Sequence, residues 1–263
     1  MKTRYLLGVL AGCCLSALSL SAQTFVGSDN FDAGSTAKWD YVYRLNSATQ
    51  GSLDFTNSRL DFSKSTGLGN QFRLWDSDGT TSPSVVATSF TTSWMMTMSV
   101  TNTLTGATGS EFATIGIQVF NDDNSYSALM LSATSTGNYV RAEGNGFSTV
   151  NTATADNTDV TLRLAWDASA KTLAAAYSLD GSSFNAVATF HPVTEWSGTT
   201  TANGFNFGVF GNSNLSAAIS VGSVYADNFA VSAVPEPSTY AAFAGLGALG
   251  LVWWRRRQRV AAA

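Results

Sequence analysis

The chain has almost no cysteine, and its only two cysteines are adjacent, at Cys13 and Cys14. The sequence after residue 14 therefore forms no disulfide and supplies no thiolate ligands for a structural zinc site. Histidine is nearly absent as well: His191 is the single one, and the Gly-x-Ser-x-Gly elbow of serine hydrolases does not occur. We therefore predict neither a zinc site nor a Ser-His-Asp triad.

Charged residues are also scarce, at 12% of the chain, and positive charge is scarcest in the middle. Between residues 24 and 233 there are 8 lysines and arginines against 17 aspartates and glutamates, a net charge of −9. Proteins that bind nucleic acid normally present a basic face to the phosphates. We therefore expect no nucleic-acid partner.

Glutamate is rare in the same stretch, which has only Glu111, Glu143 and Glu195. A glycosidase needs two suitably spaced carboxylates. None of the three glutamates has an acidic residue two positions away, where the same strand face would present it. We therefore expect no catalytic residues and no enzyme activity.

The N-terminus has the pattern of a secretory signal. Lys2 and Arg4 precede an apolar run that reaches about Leu20, and the small pair Ser21-Ala22 precedes Gln23. This pattern predicts a signal peptide over residues 1–22, cleaved after Ala22. The sequence Leu-Ala-Gly-Cys at residues 10–13 also fits a lipobox, which would make Cys13 a lipidated N-terminus. Only about six apolar residues precede it, fewer than is usual, so both interpretations stay open.

The C-terminal segment, 234–258, combines a rigid motif, an apolar run and a basic cluster. The motif is Val234, Pro235, Glu236, Pro237 and Ser238, and the cluster is Arg255, Arg256 and Arg257. The uncharged run up to Trp254 would span about 25 Å as a helix, slightly less than the roughly 30 Å of a bilayer core. A buried soluble helix would not explain three arginines beside two tryptophans. We predict a single transmembrane helix with the arginines in the cytoplasm.

This order of Pro-Glu-Pro, apolar run and arginine cluster resembles the PEP-CTERM sorting signal of Gram-negative environmental bacteria. The resemblance implies recognition by an exosortase of the inner membrane, which processes or transfers the protein at the motif. Proteins with this tail are commonly linked to extracellular polysaccharide and biofilm matrix. The resemblance thus implies a periplasmic body anchored in the inner membrane, followed by release to the cell surface or medium. It covers about 25 of the 263 residues, and it indicates a route rather than an activity.

Residues 24–233 carry the alternating pattern of β-strands. Trp94, Met96, Met98 and Val100 alternate with smaller or more polar residues, and Val160, Leu162, Leu164 and Trp166 repeat the pattern. Turn-forming residues recur about every 8–12 positions, and no window shows a helical period. We predict one all-β domain, a two-sheet antiparallel sandwich with Trp94 and Trp166 in its core.

The segments 119–132, 160–184 and 224–231 look like parts of the concanavalin A-like or laminin G-like jelly roll. In that fold the first and last strands are neighbours, which implies that 29–31 lies beside 227–229. Such folds host lectins, glycosidases, adhesins and spacers, so the resemblance does not identify a function.

Two acidic segments are candidate cation sites. Asp76 and Asp78 precede Gly79, and Asp122 and Asp123 stand between two asparagines. Carboxylate and amide oxygens are the ligands that Ca²⁺ prefers, so Ca²⁺ is the one cofactor that the sequence suggests. Asp, Asn and Gly are equally the ordinary residues of turns, and that interpretation stays open.

The remaining tryptophans are candidates for stacking on a ligand. Trp75 and Trp196 are flanked by polar residues typical of loops, so we expect both at the surface. Together these observations predict an exported, exosortase-sorted protein of the envelope or extracellular matrix. Its sandwich would have a non-catalytic binding or structural role, with an association with polysaccharide. The alternatives on the same fold are a glycan hydrolase, an adhesin and an ice-binding module.

Overall fold

The computed structural model describes residues 27–32, 39, 41–45, 51–55, 57–66, 71–77, 88–105, 107–122, 125–154, 158–196, 204–234, 245–246, 249–250 and 253–254. These residues contain sixteen strands and one single-turn helix, α1 (Pro192–Glu195). The strands are β1 (Gly27–Asp29), β2 (Tyr41–Leu45), β3 (Gly51–Phe55), β4 (Leu60–Lys64), β5 (Gln71–Ser77), β6 (Thr88–Ser89), β7 (Trp94–Asn102), β8 (Phe112–Asp122), β9 (Ser125–Thr134), β10 (Gly137–Gly144), β11 (Phe147–Ala153), β12 (Asp159–Asp167), β13 (Thr172–Ser178), β14 (Asn185–Phe190), β15 (Gly204–Ser213) and β16 (Val224–Ala233).

The strands form two antiparallel sheets. Sheet A has the order β14-β13-β12-β7-β16-β4-β3, with β1 also paired to β16. Sheet B has the order β11-β10-β9-β8-β15-β5-β2, with β6 also paired to β15. The predicted two-sheet antiparallel sandwich is confirmed. The predicted signal peptide, 1–22, lies outside the described residues.

The core lies between the sheets, where the alternating side chains of both meet. Trp94 and Trp166 of sheet A are buried in it, as predicted. Phe205 of sheet B lies at the centre of an aromatic cluster. Its ring centroid is 5.1 Å from that of Trp94, 5.0 Å from that of Trp166 and 4.2 Å from that of Phe90. Offset and edge contacts of this kind stabilise a core beyond the area that they bury.

The first and last strands pair side by side, as the resemblance implied. β1 pairs with β16 in a register that places Asp29 opposite Phe229. The side chain of Asp29 is buried and accepts hydrogen bonds from the Phe31 backbone and from Trp39 Nε1, both at 2.8 Å. A bulge after Asp227 in β16 lets its first half pair with β4 and its second half with β1.

Residues 214–223 do not form a strand, although the apolar residues of 215–221 predict one. One isolated bridge between Ile219 and Lys64 attaches this segment to the end of β4. The Lys64 ammonium donates to the carbonyl of Leu215 in the same segment. Burial lowers the pKa of Lys64, and the negative charge of Glu111 partly opposes that effect. A side-chain hydrogen bond and one isolated bridge therefore hold this segment in place of the strand pairing that its apolar pattern suggested.

The described part of the C-terminal segment is helical and exposed. Residues 245–246, 249–250 and 253–254 have helical backbone, and their large apolar side chains are exposed: Leu246, Leu249, Trp253 and Trp254. Within the described residues, no helix has the length and apolar character needed to cross a membrane. The predicted transmembrane helix therefore stays a prediction.

Candidate functional site

The outer face of sheet B is the candidate site. Along β8, β9 and β15, the core positions alternate with side chains that point away from sheet A. The strand register groups these into rows: Ser132, Thr114 and Asn212 in one, and Met130, Gly116 and Phe210 in the next. We call these two rows the polar row and the apolar row.

The polar row contains buried oxygen atoms without partners. Ser132 is 3% exposed, and neither its hydroxyl nor Oδ1 of Asn212 has a hydrogen bond within the described part of the chain. Thr114, between them, donates to the backbone carbonyl of Asn212 at 3.3 Å. A buried polar atom left without a partner costs about 1–3 kcal/mol. Such atoms are normally satisfied by an ordered water or by another polar group, and both oxygens are almost completely buried.

The apolar row extends into a second, smaller apolar cluster on this face. Its members are Phe120, Ala128, Met130 and Phe210, with Tyr126 partly buried against them. Gly116 lies within it, and a Cβ there would be 2.4 Å from the Leu129 carbonyl and 2.6 Å from Met130 Cβ. Only glycine therefore fits at this position. The cluster places closely packed, almost fully buried apolar side chains beside the polar row.

Strand β10, next to β9, continues this face with partly exposed side chains. Its outward side chains are Tyr139, Arg141 and Glu143, and Arg141 forms a 2.8 Å ion pair with Glu143. The Tyr139 hydroxyl is 2.7 Å from that of Thr136. Burial, and then the charge of Glu143, raise the pKa of Tyr126, opposed by Arg141. An aromatic ring, a cation and an anion thus border the two rows.

Sequence reasoning missed these three side chains of β10 because it considered only tryptophans as ligand-stacking groups. The spacing Tyr-x-Arg-x-Glu at 139–143 was the available signal, since alternate strand positions share one face. Which face of sheet B they share depends on the pairing of β10 with β9, and the sequence does not reveal that pairing.

The prediction that Trp196 is exposed is wrong. Trp196 is 4% exposed, and its indole N–H donates to the Ser127 hydroxyl at 3.3 Å. Its ring packs edge-on against Phe205 at 5.6 Å. The helix α1 ends immediately before it and directs the ring into the core, although its sequence neighbours are polar.

Trp75 lies within β5, opposite Val209 of β15, and not in a loop as predicted. Asp76 is also part of β5, opposite Gly208, and Asp122 is the last residue of β8. The prediction of a loop at 76–77 is therefore wrong. The side chains of Trp75, Asp76 and Asp122 are outside those described, and so are residues Asp78 and Asp123.

The two acidic segments nevertheless leave sheet B at the same end. Strands β5 and β8 flank β15 and run in the same direction, with Asp76 and Gln118 both opposite Gly208. Two strand spacings, about 10 Å, separate their backbones. No group of three His, Cys, Asp or Glu side chains that could hold a metal occurs among the described residues. In this register Asp122 lies four residues, about 13 Å, farther along the sheet than Asp76. The two acidic segments are therefore separate candidate calcium sites, and both stay predictions.

Each of the three glutamates in the body has a hydrogen-bonded partner. Glu111 accepts from the backbone and hydroxyl of Thr108 and from the Ser216 backbone, and these hydrogen bonds, led by those from Ser216, lower its pKa to about 2. Glu143 pairs with Arg141. Glu195 accepts from the His191 backbone at 2.7 Å. All three carboxylates therefore stabilise the folded chain around them through these hydrogen bonds and this ion pair.

The sorting motif begins where the sandwich ends. Val234, the residue after β16, is 41% exposed, and its backbone N–H donates to the Ser93 carbonyl at 3.0 Å. Residues 235–238 and 255–257 lie outside the described part of the chain. Among the described residues, the last hydrogen bond to the sandwich therefore comes from the residue before the first proline.

Comparison with protein families gives one match, which covers this tail. Residues 233–257 match the PEP-CTERM protein-sorting motif. The tail is a PEP-CTERM sorting signal. Such a signal implies export and processing by an exosortase, a membrane enzyme. Comparison with curated proteins gave no match.

Solved structures share the fold of the sandwich. A protein described as Bacteroides ovatus xyloglucan PUL GH43B has a TM-score of 0.53 at 11% identity, covering 80% of this chain and 39% of its own. The CBM2 module of an evolved Dit protein of the Lactobacillus casei BL23 phage J-1 has a TM-score of 0.51 at 10% identity, covering 81% of this chain and 97% of its own. This chain therefore spans about two fifths of the first protein. At such identities the likeness shows the fold alone.

Proposed function

We propose that this protein is an exported component of the cell envelope or extracellular matrix, sorted by an exosortase, whose sandwich binds neutral polysaccharide without cleaving it. The observation that carries the sorting role is the PEP-CTERM signal at 233–257. Its position supports the proposal, because the motif begins only after β16 is complete. The whole sandwich is thus the cargo that the tail delivers.

The outer face of sheet B supports the glycan-binding role. Sugar rings present hydroxyls on their edges and C–H groups on their faces, and the polar and apolar rows offer partners for each. The partly exposed Tyr139, Arg141 and Glu143 would make the first contacts with a sugar. The buried, unpartnered oxygens of Ser132 and Asn212 would bond to sugar hydroxyls only after a side-chain movement exposes them. The net charge of −9 over residues 24–233 would repel polyanions. A neutral polysaccharide is therefore the ligand class that we propose.

The partners of the three glutamates support a non-catalytic role. A general acid must release and regain a proton during the reaction. Glu111, with its pKa lowered to about 2, is held as a carboxylate, and Glu143 is held by Arg141. Release of reducing sugar from xylan or xyloglucan would instead favour the glycan hydrolase that the sequence left as an alternative.

The sorting role is tested by changing the motif alone. Glu236→Ala in the full chain should leave uncut precursor in the membrane fraction, because the exosortase would no longer recognise Pro-Glu-Pro. Thr239→Ala lies after Val234–Ser238 but within the matched tail; it serves as the control for the Pro-Glu-Pro residues and should be processed normally. An identical mature mass for Glu236→Ala and wild type would refute the sorting role.

The binding role is tested on a glycan array with the detergent-solubilised chain. Arg141→Ala should weaken binding, whereas Arg163→Ala on the outer face of sheet A should not. Ser132→Ala should weaken binding about fivefold to tenfold, the value of one hydrogen bond of about 1 kcal/mol. It should leave the melting temperature unchanged or raised, because the hydroxyl has no hydrogen-bond partner among the described residues. Equal binding by all variants would show that the outer face of sheet B is not the glycan-binding site.

A further inference from the structure

The two margins of the sandwich differ in charge. At one margin the edge strands are β11 in sheet B and β14 in sheet A, which lie next to each other. Neither has a charged residue: their sequences are FSTVNTA and NAVATF. At the other margin, β2 contains Arg44 and β3 contains Asp54. In a body with net charge −9, an uncharged margin is a place where two copies would approach with little repulsion.

Strand β11 is exposed as well as uncharged. Ser148, Thr149, Asn151 and Ala153 are exposed, and in the described part of the chain β11 pairs only with β10. No other described strand pairs with the backbone groups on its outer side, so a further strand can pair with them. Natural proteins usually protect such an edge with lysine, proline, a bulge or a covering loop. β11 has no lysine or proline.

We propose that β11 pairs with β11 of a second copy of this chain, joining two sheets B into one continuous sheet. Identical strands pair antiparallel about a two-fold axis, the symmetry of most homodimers. The fullest overlap of residues 147–153 places Val150 on the axis, opposite Val150 of the second copy. Thr149 then faces Asn151, and Ser148 faces Thr152. These are β-branched and polar pairs that stabilise adjacent strands, with no like charges opposed.

The core beneath β11 supports this arrangement. Val150 pairs with Ala142, a core residue, and is itself only half-buried. The Phe147 ring is 4.5 Å from that of Phe190 and closes the gap between β11 and β14. A second strand beside β11 would complete the burial of Val150, adding apolar area to the backbone hydrogen bonds. The contact does not depend on glycan binding and would link copies on the cell surface or in a matrix.

Cysteine cross-linking of the full chain tests both the contact and its register, because the native cysteines are confined to positions 13 and 14. Val150→Cys would place two thiols directly opposite, with Cβ atoms about 5 Å apart, close enough for a disulfide. With Ser148→Cys, the two thiols would stand four residues apart along the paired strands, a separation of about 13 Å. After oxidation by dissolved oxygen, which accepts the two electrons, we expect a disulfide-linked dimer on a non-reducing gel with Val150→Cys and not with Ser148→Cys or wild type. Ser148→Cys combined with Thr152→Cys should restore the dimer.

A charge placed on the edge provides the second arm of the test. Thr149 is exposed, so Thr149→Lys should preserve the fold. Combined with Val150→Cys, it should reduce the dimer to the level of Ser148→Cys, since two lysines would face each other diagonally across the axis. A Val150→Cys chain that stays monomeric would overturn the proposal. Equal cross-linking of Val150→Cys and Ser148→Cys, or no effect of Thr149→Lys, would overturn it as well.

Discussion

At the scale of single residues, the turn between β3 and β4 places a serine in a backbone conformation that favours glycine. Phe55 pairs with Leu60, and Asn57 and Ser58 at the tip have φ angles of 53° and 57°. Two consecutive positive φ values are typical of the type I′ turn, in which asparagine followed by glycine is preferred. Serine has a Cβ and adopts this conformation only with strain.

Ser58→Gly should therefore stabilise the fold by about 1 kcal/mol, the cost of the left-handed conformation for a residue with a side chain. Gly181→Ala provides the converse, because Gly181 has φ 74° and no atom near the added methyl. It should destabilise by a similar amount. Denaturant midpoints of both variants measure the effects, and a midpoint for Ser58→Gly at or below that of wild type would contradict the assignment of the turn.

Trp166 is the residue on which the core depends most directly. It is 2% exposed, its indole N–H donates to the Phe90 carbonyl at 3.2 Å, and it packs on Phe205. Trp166→Ala should cost about 3–5 kcal/mol through the cavity left behind. Leu179→Ala, at an exposed leucine, should change stability by less than about 0.5 kcal/mol. Similar denaturation midpoints for the two variants would place Trp166 outside the core.

At the scale of elements, the two sheets approach closely where β4 crosses β15. A Cβ added at Gly211 of β15 would lie 2.4 Å from the ring of Phe62 in β4. Phe62 is fully buried and has no room to move away. Gly211→Ala should therefore destabilise the sandwich by about 1–3 kcal/mol through overpacking.

A double-mutant cycle separates this contact from a backbone effect. If the methyl group collides with the ring, Phe62→Leu should recover part of the loss caused by Gly211→Ala. Additive losses in urea titrations would mean that Gly211 acts through its backbone and not through Phe62.

The connection between β7 and β8 is fastened by Glu111, and this link depends on pH. The lowering of the Glu111 pKa from 4.5 to about 2 means that the carboxylate is favoured in the folded state. Its contribution to stability is complete above about pH 4.5 and is lost as the pH falls toward 2. Glu111→Gln should give a flatter decline in melting temperature over this range. A decline identical to that of wild type would show that Glu111 does not contribute.

At the scale of the whole molecule, the net charge of −9 makes the body self-repelling, so any cation stabilises it to some degree. Ordinary salt screens that diffuse effect. A dedicated calcium site, at Asp76 and Asp78 or at Asp122 and Asp123, would add about 2.7 kcal/mol when free Ca²⁺ is a hundred times the dissociation constant. In about 150 mM NaCl, where screening is already strong, we expect Ca²⁺ to raise the melting temperature more than Mg²⁺ does.

The matched variants decide whether that rise belongs to the acidic segments. The double variant Asp122→Asn, Asp123→Asn should abolish the calcium-dependent rise in melting temperature. The control double variant Asp54→Asn, Asp159→Asn removes the same amount of charge from sheet A and should keep that rise. An equal response to Mg²⁺, or a persisting response in the first double variant, would leave the segment at 121–124 as a turn.

The local patterns of the sequence determined the fold class, the tail and much of the core. Alternation at 94–100 and 160–166 placed Trp94 and Trp166 correctly, because a strand buries every second residue and the period is local. The sorting tail was identified in the same way, since its motif, apolar run and arginines are contiguous. The prediction that Trp196 is exposed was wrong because its sequence neighbours are polar, whereas its ring is inserted into a core that distant strands build.

Only the tertiary structure decided which residues meet across the sheets. The polar row combines residues from three strands, up to 98 positions apart, and its register depends on ladder hydrogen bonds that no single segment specifies. Likewise, β11 and β14 became one uncharged margin only because two sheets end at the same side of the sandwich. Periodicity is a property of one strand, whereas a face or an edge is a property of the pairing between strands.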